Sequence, residues 1–326
     1  MKPLGWLLVL LLAGCSPAPS PVASYPARLA NLLDVPAPTV ETPLLAKGGG
    51  RAWAVTVPPL TISLRQTWAL RKCQLLGLIG ERNGPLGKTA PPSQRFLYSL
   101  QLLQGLRQCR HTDPQVEALA QQLAKQKARR LPFEAWQLLA EDPAFLANWR
   151  FDKTPMGDFA GLDNTQTLFH DINALLQGAN NALMARLETE LGQFSQSRFL
   201  ARLNQQLANS TAELNAVTQL LARYGPDVVC LHGRPGSQAK RIRDFFFSYY
   251  GKRVQPYLGQ LSQSDNLTKP ALAALIAQLP HPDNPQINRY AGIGPGSISA
   301  DFKAALHRHT QQWQQFLGRC GLRPGQ

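Results

Sequence analysis

The residue with the most specific chemistry is Cys15. It closes the sequence Leu12-Ala13-Gly14-Cys15, after a single early charge at Lys2 and an apolar run from Leu4 to Leu12. This is the pattern of a bacterial export signal ending in a lipobox. Small Ala13 and Gly14 fit a signal peptidase site, and the Cys15 thiol is the nucleophile that would receive a diacylglycerol. Cleavage would then leave acylated Cys15 as the new N-terminus. The apolar run is about half the roughly 20 residues a membrane-spanning helix needs, and the A-x-A-like site of a soluble export signal is replaced by the cysteine. We therefore read residues 1–14 as a signal peptide and Cys15 as the lipidation site.

Four other cysteines remain: Cys73, Cys109, Cys230 and Cys320. An even set in an oxidising compartment predicts two disulfides, with three pairings open. Cys73–Cys109 is favoured because both lie on neighbouring predicted helices. Cys230–Cys320 would then tie the last helix back to the middle of the chain. No C-x-x-C, H-E-x-x-H or G-x-S-x-G occurs, so neither a metal nor another cofactor is expected.

The histidines form no constellation. His307 and His309 are two apart and point to different sides of a helix, and His170-Asp171 are helical neighbours that do not face each other. Gly292-Ile293-Gly294-Pro295-Gly296-Ser297 lacks the Gly-Lys-Ser/Thr of a phosphate loop and reads as a turn with a serine cap. The cations from Arg234 to Arg253 flank aromatics at helical spacing, which predicts core packing with a solvated basic face. The best candidate binding surface is polar: Glu81, Arg82 and Asn83 end one predicted helix, and Gln94 and Arg95 begin the next. Such residues also satisfy the orphan backbone groups of helix ends, and the preferred reading of the same cluster is a capping and salt-bridge lock on the hairpin.

The elements that must position these residues are helices. Leu64, Trp68, Leu75, Leu78 and Ile79 make an apolar face that Asn83-Gly84-Pro85 terminates. Pro91-Pro92-Ser93 opens a second helix, and Asp113-Pro114 and Asp142-Pro143 open two more as N-cap followed by proline. Leu200, Leu203, Leu207, Ser210, Leu214, Val217, Leu221 and Tyr224 form a heptad seam. A looser copy precedes it from Phe169 to Phe194, with a reversal at 192–197. This predicts a long central antiparallel helical hairpin. Pro256 should kink the aromatic helix, residues 263–269 read as a polar loop, and a last helix starts near Ser297 or Ser299. The expected fold is all-α, a multi-helix bundle with little or no β-structure. Residues 15–24 are the acylated cysteine and a Pro/Ser/Ala tether, 25–320 the helical domain with sub-parts 60–150 and 160–320, and 321–326 a tail.

Hydrophobic residues make up 44% of the chain, which excludes general disorder, and the formal net charge is +14. A basic surface favours anionic partners. Export argues against nucleic acid and for an anionic envelope component or envelope protein, with the membrane engaged through the N-terminal lipid.

The stretch CQLLGLIGERNGPLGKTAPPSQRFLY, Cys73 to Tyr98, resembles the signature of an uncharacterised group of Gram-negative lipoproteins known as a domain of unknown function. The resemblance extends from about Tyr25 to Cys320 and is most specific between Leu64 and Trp149. It implies a periplasm-facing lipoprotein and brings no activity or catalytic residue. Ser16 after Cys15 resembles proteins sorted to the outer membrane rather than retained at the inner one. The expected function is a non-enzymatic binding or scaffold factor for envelope assembly or maintenance. The competing reading is an enzyme acting on peptidoglycan, lipid or glycan, with Glu81, Arg82 and Arg95 at its site.

Overall fold

The computed structural model describes residues 20–41, 43–150, 152–231 and 234–322. Cys15, the expected signal, the tether up to residue 19, His232 and residues 323–326 lie outside the described residues. The fold is all-α, as the periodicity predicts. Its helices are α1 (Tyr25–Leu32), α2 (Leu64–Ala69), α3 (Leu76–Asn83), α4 (Pro85–Thr89), α5 (Pro92–Gln108), α6 (Pro114–Glu141) and α7 (Pro143–Asn148). There follow α8 (Leu162–Gln177), α9 (Asn181–Ser197), α10 (Phe199–Tyr224), α11 (Ser237–Phe245), α12 (Gln255–Ile276), α13 (Pro285–Ala291) and α14 (Ile298–Arg319). A two-residue antiparallel ladder pairs Cys230–Leu231 with Arg234–Pro235.

Helix starts follow the capping chemistry in the sequence. Asp113 accepts from the Gln115 amide at 3.0 Å, Asp142 from Ala144 at 3.0 Å and Ser297 from Ala300 at 3.2 Å. Asp142 also accepts from the Ser93 amide at 3.1 Å, so one carboxylate caps α7 and holds the start of α5. Both disulfides form in the favoured pairing, Cys73–Cys109 and Cys230–Cys320.

The central hairpin differs from expectation. The first arm breaks at Gly178, after which Asn180 caps α9 by accepting from Ala182 and Leu183 at 2.9 and 3.2 Å. α9 therefore packs on α8 and α7, while α10 takes α14 as its principal partner. Arg308 donates to Asn215 at 3.0 Å, and Arg319 donates to the carbonyls of Gly225, Pro226 and Val228. These pairings make α10 and α14 parallel, with Cys230–Cys320 closing the shared end. The seam residues from Leu200 to Leu221 are buried as the heptad predicts, against a different partner.

The expected polar loop at 263–269 is also absent: α12 runs unbroken through it, with Pro270 inside. Ser264, Asp265, Thr268 and Lys269 are buried on its inward face, while Gln263 and Asn266 remain exposed. Lys269 donates to Asn204 of α10 at 2.5 Å and to the Tyr290 carbonyl of α13. One turn earlier, Asp265 accepts from Ser299 of α14 at 2.6 Å. Burial holds the Lys269 ammonium down to about 8, opposed by the Asp265 charge. Gly292 sits at φ 77°, and a Cβ there would lie 2.9 Å from the Ser299 hydroxyl and 3.1 Å from the Lys269 stem, so a side chain would not fit without a shift.

Residues 20–24, expected as the end of the tether, are packed. Val22 is fully buried, and the Tyr249 hydroxyl donates to the Pro21 carbonyl at 2.8 Å. Phe246–Val254 adopts a wider π-type turn before Pro256, which supplies no N–H at the start of α12. This turn presents Tyr250 to Tyr25 and Phe246 to Trp313, so the aromatic stripe is core. A single contiguous core joins residues on both sides of 150–160.

Two stability effects follow. Loss of Cys230–Cys320, which closes a separation of 90 residues, should cost about 4–5 kcal/mol in urea unfolding of the Cys230→Ala/Cys320→Ala variant. Burial raises the Glu213 carboxyl to about 7, above its unfolded value of about 4.3. Its folded state favours the protonated form, so its contribution is complete below pH ~4.3 and lost as pH rises through 7. Glu213→Gln should accordingly raise Tm at pH 8 more than at pH 5.

Candidate functional site

The α3–α4 corner is welded at Gly87. A Cβ there would lie 2.2 Å from the Glu81 carbonyl and 2.5 Å from that of Arg82, contacts only glycine avoids. The Arg82 guanidinium donates to the Gly87 carbonyl at 2.7 Å, so the corner also fixes a cation. α5 and α6 form an antiparallel pair beside it, and Cys73–Cys109 clips the end of α5 to the turn preceding α3. Lys72 meets Asp113 at 3.0 Å at the same place.

Between these elements lie two adjoining cavities. The inner one, about 340 Å³, has walls of Leu60, Ile62, Leu70, Leu102, Leu106 and Leu123 and a polar side of Arg82, Asn83, Tyr98, Lys127, Arg130 and Glu134. The outer one, about 610 Å³, is bounded by Glu81, Arg82, Gln94 and Arg95 over apolar Leu78, Leu86 and Leu97. Arg82 and Tyr98 line both.

The residues singled out from sequence are thus brought together, with Glu81, Arg82, Gln94 and Arg95 around one cavity and Arg82 and Asn83 on the other. They do not lock onto one another. Arg95 faces Glu141 of α6 at 3.9 Å, and Gln94 donates to Glu188 of α9 at 2.8 Å. This leaves a hollow between the helix ends.

The residues that sequence reasoning missed are Tyr98, Lys127, Arg130 and Glu134. Lys127 and Glu134 are buried on α6, their charged groups 2.7 Å apart, and Arg130 approaches the same carboxylate at 3.4 Å. A signal existed. Val116, Ala120, Leu123, Lys127, Leu131 and Glu134 recur at steps of three and four, which places a cation and an anion on the inward stripe of α6. Burial lowers the Lys127 ammonium, the Glu134 charge opposes this, and the nearby Arg130 and Arg82 charges lower it further. Burial likewise pushes the Tyr98 hydroxyl up to about 12. Two cations, Lys127 and Arg130, therefore meet one carboxylate, and Arg82 lines the same half-apolar cavity.

The match with known protein families decides membership. Residues 22–324 match the family described as "Protein of unknown function (DUF3080)". The chain belongs to that family. No curated protein and no solved structure matches it significantly.

Other candidates resolve into packing. His309 is buried between Tyr25 and Trp313, receiving the indole N–H at 3.1 Å, and burial lowers it to about 3. The His111 ring nitrogen accepts from the Asp113 amide at 2.9 Å within a cap. Asp171 is bound by Arg186, which also holds Glu190 at 2.9 Å, while neighbouring His170 is exposed. Among the described residues no three His, Cys, Asp or Glu side chains gather as a metal site.

The Lys127–Glu134 pair gives a checkable asymmetry. Glu134→Leu alone strands Lys127 among apolar walls and should cost about 3–5 kcal/mol, whereas Lys127→Met/Glu134→Leu should be near neutral. Chemical denaturation of both single variants and the double closes the cycle.

Proposed function

We propose that this protein is a lipid-anchored envelope factor that works by binding a ligand in the cavities beside α3, α4, α5 and α6, rather than by turning one over. The observation that carries this reading is the composition of the site: aliphatic walls over about half of the inner cavity meeting a set of convergent polar groups, as in a ligand pocket. The charge there is arranged for holding. Glu134, the carboxylate of the inner cavity, is engaged by Lys127 and Arg130. An enzyme of the outer cavity would need Glu81 and a second free carboxylate across a water-sized gap. The carboxylates that meet its lining residues are already engaged, Glu141 by Arg95 and Glu188 by Gln94.

The location belongs to the same proposal. The lipobox at Cys15 would place the domain on a bilayer, and Ser16 favours the periplasmic face of the outer membrane over the inner. No helix of the described residues is long and apolar enough to cross a membrane, and on this reading the acyl groups would hold the domain. One chain binds marginally, and stable anchoring takes a second signal. The tether is short, since packing begins by Val22. The domain would therefore ride close to the headgroups.

Cys15→Ser should move the protein from the membrane pellet to the soluble fraction; unchanged fractionation would overturn the anchor. For the binding reading, native mass spectrometry of the full chain released from membranes should show a non-covalent small molecule at near one per chain. Leu123→Trp, which fills the inner cavity, should remove it, and a chain that is ligand-free in wild type counts against the reading.

A further inference from the structure

We propose that the ligand of the inner cavity is a single-chain anionic lipid, its carboxylate or phosphate head among Arg82, Lys127 and Arg130 and its acyl chain along Leu102, Leu106 and Leu123. This rests on the reading of the cavity as a binding site and names what it binds.

The head is fixed by a surplus of positive charge. Arg82, Lys127 and Arg130 stand against Glu134 alone on this cavity wall. Glu134 lies 2.7 Å from Lys127 and 3.4 Å from Arg130, so one negative charge is shared between two cations. The Arg130 Nε is buried without a hydrogen-bond partner. A buried donor left unbonded costs free energy, more so when it is charged. An oxyanion at this position would satisfy that donor, neutralise the excess and accept in the bidentate manner that guanidinium groups favour. Lys127 is nearly fully buried, so the site is built into the core of α6 rather than drawn from surface lysines.

The tail is fixed by the rest of the wall. Leu60, Ile62, Leu70, Ile79, Leu102, Leu106 and Leu123 make half of the lining, which no inorganic anion would use. At about 340 Å³ the hollow lies near the lower end of the range for small-molecule sites, which suits one acyl chain. The approach is apolar too. Leu86 on α4 is 87% exposed at the rim of the outer cavity, which shares Arg82 and Tyr98 with the inner one.

Photo-crosslinking in membranes that carry the full chain tests the assignment. Three diazirine probes of equal chain length are compared: palmitate, 1-palmitoyl lysophosphatidate and hexadecanol. Both acids, or one of them, should label the α5 and α6 peptides containing Leu102, Leu106 and Leu123 at least about tenfold more than the alcohol. The stronger acid identifies the head as carboxylate or phosphate. Arg82→Gln and Arg130→Gln should bring the acid down to the level of the alcohol, and Arg130→Lys should retain part of the difference. The acid-to-alcohol ratio in wild type needs no variant to fold. Equal labelling by all three probes would overturn the anionic head and leave an apolar binding site standing. Labelling of these peptides by none would overturn both the lipid and the reading of this cavity as a binding site.

Discussion

The middle of this fold depends on how one ammonium group is kept charged inside it. Lys269 projects from α12 into the space between α10 and α13, bonded to Asn204 and the Tyr290 carbonyl. Asp265, one turn before it, is held by Ser299 of α14 and faces Lys303 at 3.4 Å. Four helices are therefore fixed by one chain of polar contacts in an apolar surround. A buried charge of this kind adds little net stability, because desolvation cancels most of the attraction. What it imposes is register. If α10 slid by one turn against α12, the buried ammonium would lose its bond to Asn204 and keep only that to the Tyr290 carbonyl, at a cost of about 1.5–3 kcal/mol for a bond to a charged group. The other buried polar side chains of α10 act in the same sense: Gln205 donates to the Pro43 carbonyl, and Gln206 accepts from the Tyr257 hydroxyl. The parallel α10–α14 seam is apolar along most of its length, and it is this polar lattice that singles out one alignment for it.

That lattice is also why part of the fold was not legible in the sequence. Ser264, Asp265, Thr268 and Lys269, followed by Pro270, look like a solvated loop when read by composition. Thr268 bonds the Ser264 carbonyl within the helix, but the partners of Asp265 and Lys269 lie more than 20 residues away, on helices whose proximity no local pattern reveals. The helix starts were legible because their chemistry is local: Asp113-Pro114, Asp142-Pro143 and Ser297 each bond an amide two or three residues on. The apolar stripe of α10 was legible for the same reason, since its period is set by the helix itself. Its partner was not, because a heptad seam states that something is covered and leaves open by what. Adjacency in the chain favoured α9, but the break at Gly178 and the cap at Asn180 turned α9 toward α8.

The candidate site shows the same division. Glu81, Arg82, Gln94 and Arg95 were readable as a cluster because they sit at two helix ends separated by a short connection, where proximity follows from the chain. Lys127 and Glu134 were overlooked in the interior of a 28-residue helix, where charged residues usually face water. Their positions on the apolar stripe carried the information, and reading them required giving period precedence over residue type. Arg82 joins the two parts. It closes α3, bonds the Gly87 carbonyl and borders both cavities, so a residue at a helix end becomes the link between surface and core.

On the proposed reading, the anchor and the cavity solve one physical problem together. Membrane-bound single-chain lipids are dilute in water and concentrated at a bilayer, so a binder free in solution would meet them rarely. Fixing the binder to that bilayer by a short tether converts the encounter into a local one at high effective concentration, without any added contact. The excess of cations then has a defined role. At a surface rich in anionic headgroups, a net positive domain is drawn down against the membrane, while the interior trio acts at shorter range on a head that has left water. The surface charge is screened within a Debye length of about 8 Å at physiological salt. Buried Lys127 and its neighbours are screened much less, and this separates attraction to the membrane from retention of the ligand.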